Sequence, residues 1–417
     1  MIVAYNAFMY FMWFIVTFYM IYIVLSIVVF KHSLFEKPEK DPNYNPFCSL
    51  IIPAWNEQDT VADTIKSLHK VTYQNVEFIF INDGSTDKTS KIITKYLKKI
   101  KEKGDNRFRF IDNKDNKGKA ARLNQGIEAC KGEFIACMDA DTEVEPGIFE
   151  KVIPEFQDPE AGAITVAVEV ANKKTWLNKV IAVEFNLGLS LLLKIFSFAK
   201  VVWVTPGPFS IYRADLMKKI GGFDPNNITE DHEIAFRIYK EGYYIKNTMH
   251  ARVFATMPDT FKGSYYQRRR WYSGSILTMF QHRKMLLKKE HGLFSFFIPF
   301  NMFIIFLSMG MFVLSAGLLL HKIIKNIIFF SQTGFNFFEH WTFEFNPLFF
   351  GRVNFLGMTM FVMVILFILL GLLNSKRKLS DNPIGIMLFP FFYIFYQIYW
   401  WGAVISTIIK KGKISWR

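Results

Sequence analysis

Cysteine is scarce in this sequence, with three among 417 residues. Cys48, Cys130 and Cys137 match no metal-ligand spacing, so they predict no zinc site and indicate small, reduced core residues in a cytosolic compartment. The chain also lacks the G-x-G-x-x-G and G-x-x-x-x-G-K-[S/T] patterns, which argues against a dinucleotide or P-loop site. No nucleic-acid-binding motif is present, so the net charge of +14 favours an anionic membrane surface and an anionic substrate over nucleic acid.

Charge is absent from four long apolar stretches. Each is long enough to cross a bilayer, which takes about 20 apolar residues. They predict transmembrane helices at residues 1–30, 292–320, 355–373 and 383–409. The first has no basic residue before it and no small-residue cleavage pattern after it, which indicates an uncleaved anchor. Four spans would place the basic residues at 410–413 outside, against the positive-inside tendency. Either one apolar stretch is re-entrant or interfacial, or this tail is an exception to the tendency.

A charged block of globular character separates the first apolar stretch from the second. Three prolines predict a linker over residues 31–46, followed by a globular domain over 47–258. Aromatic residues mixed with Arg and Lys predict an amphipathic interfacial segment over 259–291. Residues 292–417 are predicted to form a C-terminal transmembrane region of about three spans. The positive flanks place the globular domain on the cytosolic side of a multi-pass plasma-membrane protein.

Strand-like and helix-like patterns alternate through the first half of the globular block. Short apolar runs predict strands at residues 47–53, 76–81, 107–111 and 134–138. Helical spacing of apolar residues fills the segments between them. This alternation predicts an α/β domain with an open, mainly parallel sheet that binds its ligands at the carboxyl edge.

Two acids follow the fourth predicted strand, in the stretch Phe-Ile-Ala-Cys-Met-Asp-Ala-Asp that ends at Asp141. Side chains alternate along a strand, so Asp139 and Asp141 point to the same side. Paired acids at this edge are well placed to hold a hard divalent cation and, through it, phosphate oxygens. The pair alone is also typical of a solvated turn.

Three further motifs follow the same logic, and each has a plain structural alternative. Asp83 follows the second strand but precedes Gly84, as in an ordinary turn. Thr229-Glu-Asp231 places two acids together but also suits a capped helix start. Gln267-Arg-Arg-Arg-Trp271 carries three arginines that equally suit lipid headgroups.

In this order the four motifs resemble the D, DxD, TED and QxxRW series of membrane-embedded family 2 glycosyltransferases, which include cellulose, hyaluronan and poly-N-acetylglucosamine synthases. The resemblance runs from about residue 47 through residue 271 and extends into the flanking spans. It is greatest for the poly-N-acetylglucosamine synthase subgroup. It implies a GT-A type catalytic domain inserted between transmembrane helices.

The resemblance implies inverting transfer from a UDP-sugar, taken as UDP-N-acetylglucosamine, that extends a β-linked polysaccharide and passes it through the spans. Asp231 would be the general base, with Glu230 as a lesser candidate. Asp141 would hold Mg²⁺ or Mn²⁺, with Asp139 in the metal shell or against the ribose. The other residues implied to bind the nucleotide sugar are Pro53, Asn56, Glu57, Asp83, Lys119, Gln267 and Arg270. The residues implied to bind the acceptor are Gly207, Phe209 and Trp271.

Two alternatives compete with this hypothesis. One is transfer of a single sugar to a lipid acceptor, as in ceramide glucosyltransferase-like proteins. The other is a membrane scaffold without catalysis. Because three spans after the catalytic block leave a narrow path for a polymer, an accessory subunit or a second copy of the chain is a further expected partner.

Overall fold

The computed structural model describes residues 2–35, 41, 43–333, 352–374 and 381–409. In these residues a single sheet of eight strands forms the centre of the globular domain. Numbered along the chain, the strands are β1 (Cys48–Ala54), β2 (Val76–Asp83), β3 (Phe108–Asn113), β4 (Phe134–Cys137), β5 (Thr142–Val144), β6 (Ala161–Val170), β7 (Ser210–Arg213) and β8 (Tyr244–Ala255).

The first four strands form a parallel half-sheet. β1 lies between β2 and β4 and pairs in parallel with both, while β3 pairs in parallel with β2. Every residue of β1, β2 and β4 is buried, as expected where helices cover both faces of a parallel sheet. The predicted strands and their parallel order are confirmed.

The second half of the sheet is mixed. β7 pairs antiparallel with β4 and β6, and β8 pairs parallel with β6 and antiparallel with β5. The full order is β3-β2-β1-β4-β7-β6-β8-β5. The predicted fold class, an open α/β sheet with apolar helices before and after it in the chain, is confirmed.

Helices flank the sheet and extend away from it. The α-helices are α1 (Ile2–Val29), α2 (Lys31–Phe35), α3 (Val61–His69), α4 (Thr89–Glu102), α5 (Lys119–Ala129), α6 (Ile148–Val152), α7 (Trp176–Phe185), α8 (Leu193–Phe198), α9 (Ala214–Lys219), α10 (Glu230–Lys240), α11 (Phe261–Gln281), α12 (Phe294–Thr333), α13 (Arg352–Asn374) and α14 (Pro383–Ile409). A π-helical segment, Asn186–Leu192, joins α7 to α8. Short 3₁₀ turns occupy Ile153–Gln157, Arg283–Met285 and Lys289–His291.

Three helical stretches in the described part of the chain are long and apolar enough to cross a membrane: Ala7–Val29, Trp176–Phe198 and Phe294–Gln332. The second was not among the predicted spans, and 72% of its most apolar window is buried inside the protein, against 17% and 6% for the other two. It is therefore an internal helix of the domain. A fourth span results if Pro383–Phe392 and Ile394–Ile409, bent by 52°, count as one. The basic residues at 410–413 lie outside the described residues.

Two helices extend into segments that were not predicted to be helical. The predicted linker begins with helix α2, whose Leu34 is fully buried. Helix α12 continues past Leu320, where the charge-free stretch ends, and includes Lys322 and Lys325. Its 40 residues give a length of about 60 Å, roughly twice the hydrocarbon thickness of a bilayer.

Helix α14 is attached to the globular domain at both ends. At its start, Asn382 Nδ2 donates a hydrogen bond of 2.7 Å to the carbonyl oxygen of Lys179 on α7. Farther along, Ser273 Oγ of α11 donates to the carbonyl oxygen of Ala403 at 3.3 Å, and the Tyr272 and Trp400 rings stack 4.3 Å apart. The last apolar helix thus packs directly on α7 and α11.

Candidate active site

The ammonium group of Lys119 lies at the carboxyl edge of the parallel half-sheet, between two acids. Its Nζ atom is 2.5 Å from Asp139 Oδ1, just after β4, and 2.9 Å from Glu230 Oε1, at the start of α10. Burial alone would lower the pKa of Lys119, but Asp139, Glu230 and Asp231 hold that pKa well above its usual value. The Lys119 ammonium group therefore links the motif that contains Asp139 to the motif that contains Glu230.

Gly207 provides the close approach that this arrangement needs. A Cβ atom there would lie 2.8 Å from both Asp139 Oδ2 and Lys119 Nζ, closer than any side chain can pack. The Gly207 carbonyl oxygen also accepts a hydrogen bond of 3.2 Å from the Asp139 amide. The predicted acceptor residue Gly207 thus contacts the ion pair itself.

Asp231 lies in the first turn of α10, beside Glu230. Its carbonyl oxygen accepts hydrogen bonds from the Thr205 amide at 3.0 Å and from the Thr205 hydroxyl at 2.8 Å. Glu230 is only 2% exposed and is paired with Lys119, whereas Asp231 is half-buried. Burial and the neighbouring Glu230 raise the pKa of Asp231 to about 6.

Asp141 belongs to the same electrostatic cluster. Burial, followed by the charges of Asp139 and Glu57, raises the pKa of Asp141 to about 7. Lys119 and Asp139 influence the pKa of both Asp141 and Asp231. The acids after β4 and the acids that begin α10 therefore lie at a single site.

A divalent cation would find two carboxylates here and no complete protein cage. Within the described residues no group of three His, Cys, Asp or Glu side chains comes together as metal ligands. Mg²⁺ is commonly bound by one or two carboxylates together with substrate phosphates and water. Asp139 and Asp141 fit that mode of binding.

Asp83 supports the turn before α5. Its carboxylate accepts hydrogen bonds from the Lys117 amide at 2.8 Å, the Gly118 amide at 2.9 Å and Arg122 Nε at 2.7 Å. Only 3% of Asp83 is exposed. The carboxylate thus fixes the start of the helix that carries Lys119, and contact with a nucleotide base stays a prediction.

The loop after β1 is bound to the loop after β2. Asn56 has a left-handed backbone (φ 56°), a conformation that asparagine adopts more readily than most residues. Its Oδ1 accepts a hydrogen bond of 2.9 Å from the Thr86 amide, and the Glu57 amide donates to Thr89 Oγ1 at 2.8 Å. Pro53, predicted with these two residues, is buried within β1.

Helix α11 packs directly on the loop before α10. A Cβ atom at Gly274 would lie 2.1 Å from Thr229 Oγ1, and Arg270 Nη1 donates to the carbonyl oxygen of Ile228 at 3.3 Å. The positive charge of Arg270 lowers the pKa of Asp231, but the larger effect of burial leaves that pKa raised overall. The Gln267 Oε1 atom is buried without a hydrogen-bond partner among the described residues. The first three motifs and Arg270 thus lie around one site.

Three details differ from the sequence interpretation. Thr229 occupies the cap position of α10, but its side chain makes no capping bond and its hydroxyl lies 3.2 Å from Asn227 Oδ1. Arg268 is no lipid-headgroup contact, because it is 5% exposed and paired with Glu184 at 2.7 Å. Phe209 is fully buried near Phe149, so its side chain does not face an acceptor.

Sequence reasoning missed several residues that build the site. Arg122 holds Asp83, Thr205 holds the start of α10, and Gly274 admits Thr229. Glu184 gave a weak signal, as an acid within a mostly apolar helical stretch. None of these contacts is encoded by local spacing, since the partners are distant in the chain.

Comparison with known proteins agrees with this geometry. Residues 49–221 match the family described as Glycosyl transferase family 2. The chain is 32% identical over 245 residues to poly-beta-1,6-N-acetyl-D-glucosamine synthase of Staphylococcus aureus strain MSSA476, covering 58% of each chain. The enzyme of that name from Staphylococcus epidermidis is 32% identical over 227 residues, 54% of each chain. The chain thus matches between half and two thirds of the length of these curated relatives.

A solved structure shares the overall fold. The mannosyltransferase from Pyrobaculum calidifontis, solved with GDP-Man and Mn²⁺, aligns with a TM-score of 0.53 at 13% identity, covering 88% of this chain and 98% of that one. The open sheet and its flanking helices therefore have the GT-A fold.

Residues 49–221 therefore match a family 2 glycosyltransferase domain, and the predicted resemblance to this family is confirmed for that part of the chain. The relatives named above are poly-beta-1,6-N-acetyl-D-glucosamine synthases of staphylococci.

The Gly274 contact gives a prediction about how α11 is held. Gly274→Ala places a methyl group against Thr229, and overpacking of this kind typically costs about 1–3 kcal/mol. We expect a lower apparent melting temperature in detergent. Gly310→Ala is the matched control, since nothing lies within 4 Å of that helical position.

A second substitution tests the cause. Thr229→Gly in the Gly274→Ala protein removes the opposing atoms and should recover part of the lost stability. Melting of Gly274→Ala at the parental temperature would contradict the close contact.

Proposed function

We propose that this protein is an inverting glycosyltransferase that uses a UDP-sugar, UDP-N-acetylglucosamine, to extend a β-linked polysaccharide at the cytosolic face of the plasma membrane. The observation that carries the proposal is the Lys119 bridge between Asp139 and Glu230, which gathers the strand-end acids and the α10 acids at one site. The identity to poly-beta-1,6-N-acetyl-D-glucosamine synthases supports the choice of sugar and of a polymeric product.

Asp231 is the general base in this mechanism. It accepts the proton of the acceptor hydroxyl as that oxygen attacks the anomeric carbon, and direct displacement inverts the anomeric centre. Its half-buried position at the start of α10 leaves it more accessible than Glu230. Glu230 is engaged with Lys119 at 2.9 Å and acts as that cation's partner.

The diphosphate leaving group needs positive charge as the glycosidic bond breaks. Lys119 and Arg270 supply it from the protein, and a guanidinium can bind a diphosphate as a fork. Gln267 contacts the same group through its side-chain NH₂, which can donate hydrogen bonds to phosphate oxygens. Asp83, Asn56, Glu57 and Pro53 shape the nucleoside side through the two connected loops.

Asp141 and Asp139 are the residues that would hold Mg²⁺ or Mn²⁺. When bound, the ion neutralises charge on the departing diphosphate. The Mn²⁺ in the mannosyltransferase of the same fold is consistent with this assignment.

The acceptor binds beside Gly207 and Trp271, whose indole offers a flat apolar surface to a sugar ring. In the proposed domain arrangement the growing polysaccharide lies next to apolar helices. One of these helices, α14, packs on α11, which carries Trp271. Translocation through these helices is part of the proposal, with an accessory subunit or a second copy completing the path.

The products made by the purified protein test this function. Incubation with UDP-N-acetylglucosamine in lipid nanodiscs should give a ladder of β-linked oligomers, resolved by mass spectrometry, whereas other UDP-sugars should give little product. A single glycolipid product would instead support the lipid-acceptor alternative. No transfer from any UDP-sugar would favour the scaffold.

Substitution Asp231→Asn tests the general base. Loss of a positioned base typically costs about 10²–10⁴-fold in rate, so transfer should fall by that factor with little change in the KM for the donor. The matched control is Asp215→Asn, an exposed acid in the first turn of α9. Transfer at the parental rate by Asp231→Asn would remove Asp231 from the mechanism.

The raised pKa of Asp231 predicts a pH profile. Its carboxyl accepts a proton only when ionised, and its pKa is about 6. Activity should therefore fall as the pH drops through about 6, at saturating metal and donor, by about tenfold per unit below it. The measurement is the rate of UDP release against pH. A profile that stays flat down to about pH 5 would contradict this role, as would an acidic limb that Asp231→Asn retains.

A further inference from the structure

A buried ion pair lies behind the predicted acceptor platform. Arg268 Nη1 is 2.7 Å from Glu184 Oε1, and Nη2 is 2.8 Å from Glu184 Oε2. Arg268 is 5% exposed, and the side chain of Glu184 is 14% exposed. Two parallel bonds of this kind fix the plane of a guanidinium.

The fixed guanidinium stacks on Trp271. Its central carbon lies 4.6 Å from the centroid of the indole and 5.5 Å from the centroid of the Phe185 ring. Phe185 and Trp271 are themselves 6.4 Å apart. A cation over an indole is attracted to the ring face, and a planar guanidinium adds stacking that an ammonium lacks.

The pair also connects three helices. Glu184 lies on α7, Arg268 and Trp271 lie on α11, and Tyr396 of α14 forms a side-chain hydrogen bond with Glu184. Glu184 of α7 thereby holds Arg268 in place, while Trp271, one turn farther along α11, is half-buried. The guanidinium that packs against the indole is thus bound by a carboxylate 84 residues earlier in the chain.

We infer that Glu184 and Arg268 are positioning residues for acceptor binding: they hold the Trp271 indole in the orientation that stacks on a sugar ring of the acceptor glycan. The inference rests on the proposed function, in which Trp271 contacts the acceptor. It adds that the buried Glu184–Arg268 ion pair, which does not itself contact the sugar, holds the Trp271 indole in place.

A double-mutant cycle on the full chain tests this role. Arg268→Lys keeps the charge that Glu184 needs but loses the planar stack. We expect it to weaken binding of a fluorescent β-1,6-linked N-acetylglucosamine oligosaccharide by about tenfold, with the affinity for UDP-N-acetylglucosamine unchanged. In a Trp271→Ala background, Arg268→Lys should have no further effect on glycan binding, because the group it positions is absent.

Two further variants keep the test decisive. Arg269→Lys is the matched control, since Arg269 is the next residue of α11 and stacks on Tyr266 at 4.9 Å, and it should leave glycan affinity unchanged. If Arg268→Lys does not fold, Glu184→Asp retracts the carboxylate while keeping both charges. It should show the same weakening and the same dependence on Trp271.

The outcomes separate this inference from the proposed function. Additive effects of Arg268→Lys and Trp271→Ala on glycan affinity, or equal losses for donor and glycan, would overturn the positioning role alone. A parent protein that binds the donor but no oligosaccharide would overturn the proposed glycan acceptor and this inference together.

Discussion

The site depends on one ammonium group held between two carboxylates. The charge of Asp139 raises the pKa of both Asp141 and Asp231, and the charge of Glu230 raises the pKa of Asp231, because ionised carboxylates repel one another. Lys119 offsets that repulsion through direct contacts with Asp139 and Glu230. Asp83, at the end of β2, fixes the turn from which Lys119 projects. It thereby helps to bring the acids after β4 together with the acids that begin α10. In the proposed reaction, the same cation also faces the diphosphate.

Close contacts at glycine bring these elements together. Gly207 lets the loop before β7 lie against the Lys119–Asp139 pair, and Gly274 lets α11 lie against Thr229. A larger residue at either position would separate groups that must lie within a few ångströms of one substrate. The acids and the Arg270 helix are therefore linked by packing as well as by charge.

The sequence predicted the part of the fold that local patterns encode. Alternating apolar runs indicated β1 to β4 and their parallel order, and charge-free stretches indicated the apolar helices. The mixed second half was not predictable, because strand direction there depends on pairing between segments far apart in the chain. The four motifs identified the acids, Arg270 and Trp271, but not Glu184 or Arg122, whose importance comes from partners that only the folded chain provides. The buried helix Trp176–Phe198 escaped prediction as a span-like segment because Glu184 and Lys194 interrupt its apolar sequence.

That helix has a consequence for biosynthesis. Trp176–Phe198 is apolar enough to enter a bilayer, yet it belongs inside the globular domain, and Arg268 emerges from the ribosome 84 residues after Glu184. Until Arg268 has been synthesised, the Glu184 carboxylate lacks this counterion. A central acidic or basic residue disfavours translocon insertion by about 2.5–3.5 kcal/mol. Glu184 and Lys194 thus add a free-energy cost to the insertion into lipid of a segment that the folded domain buries.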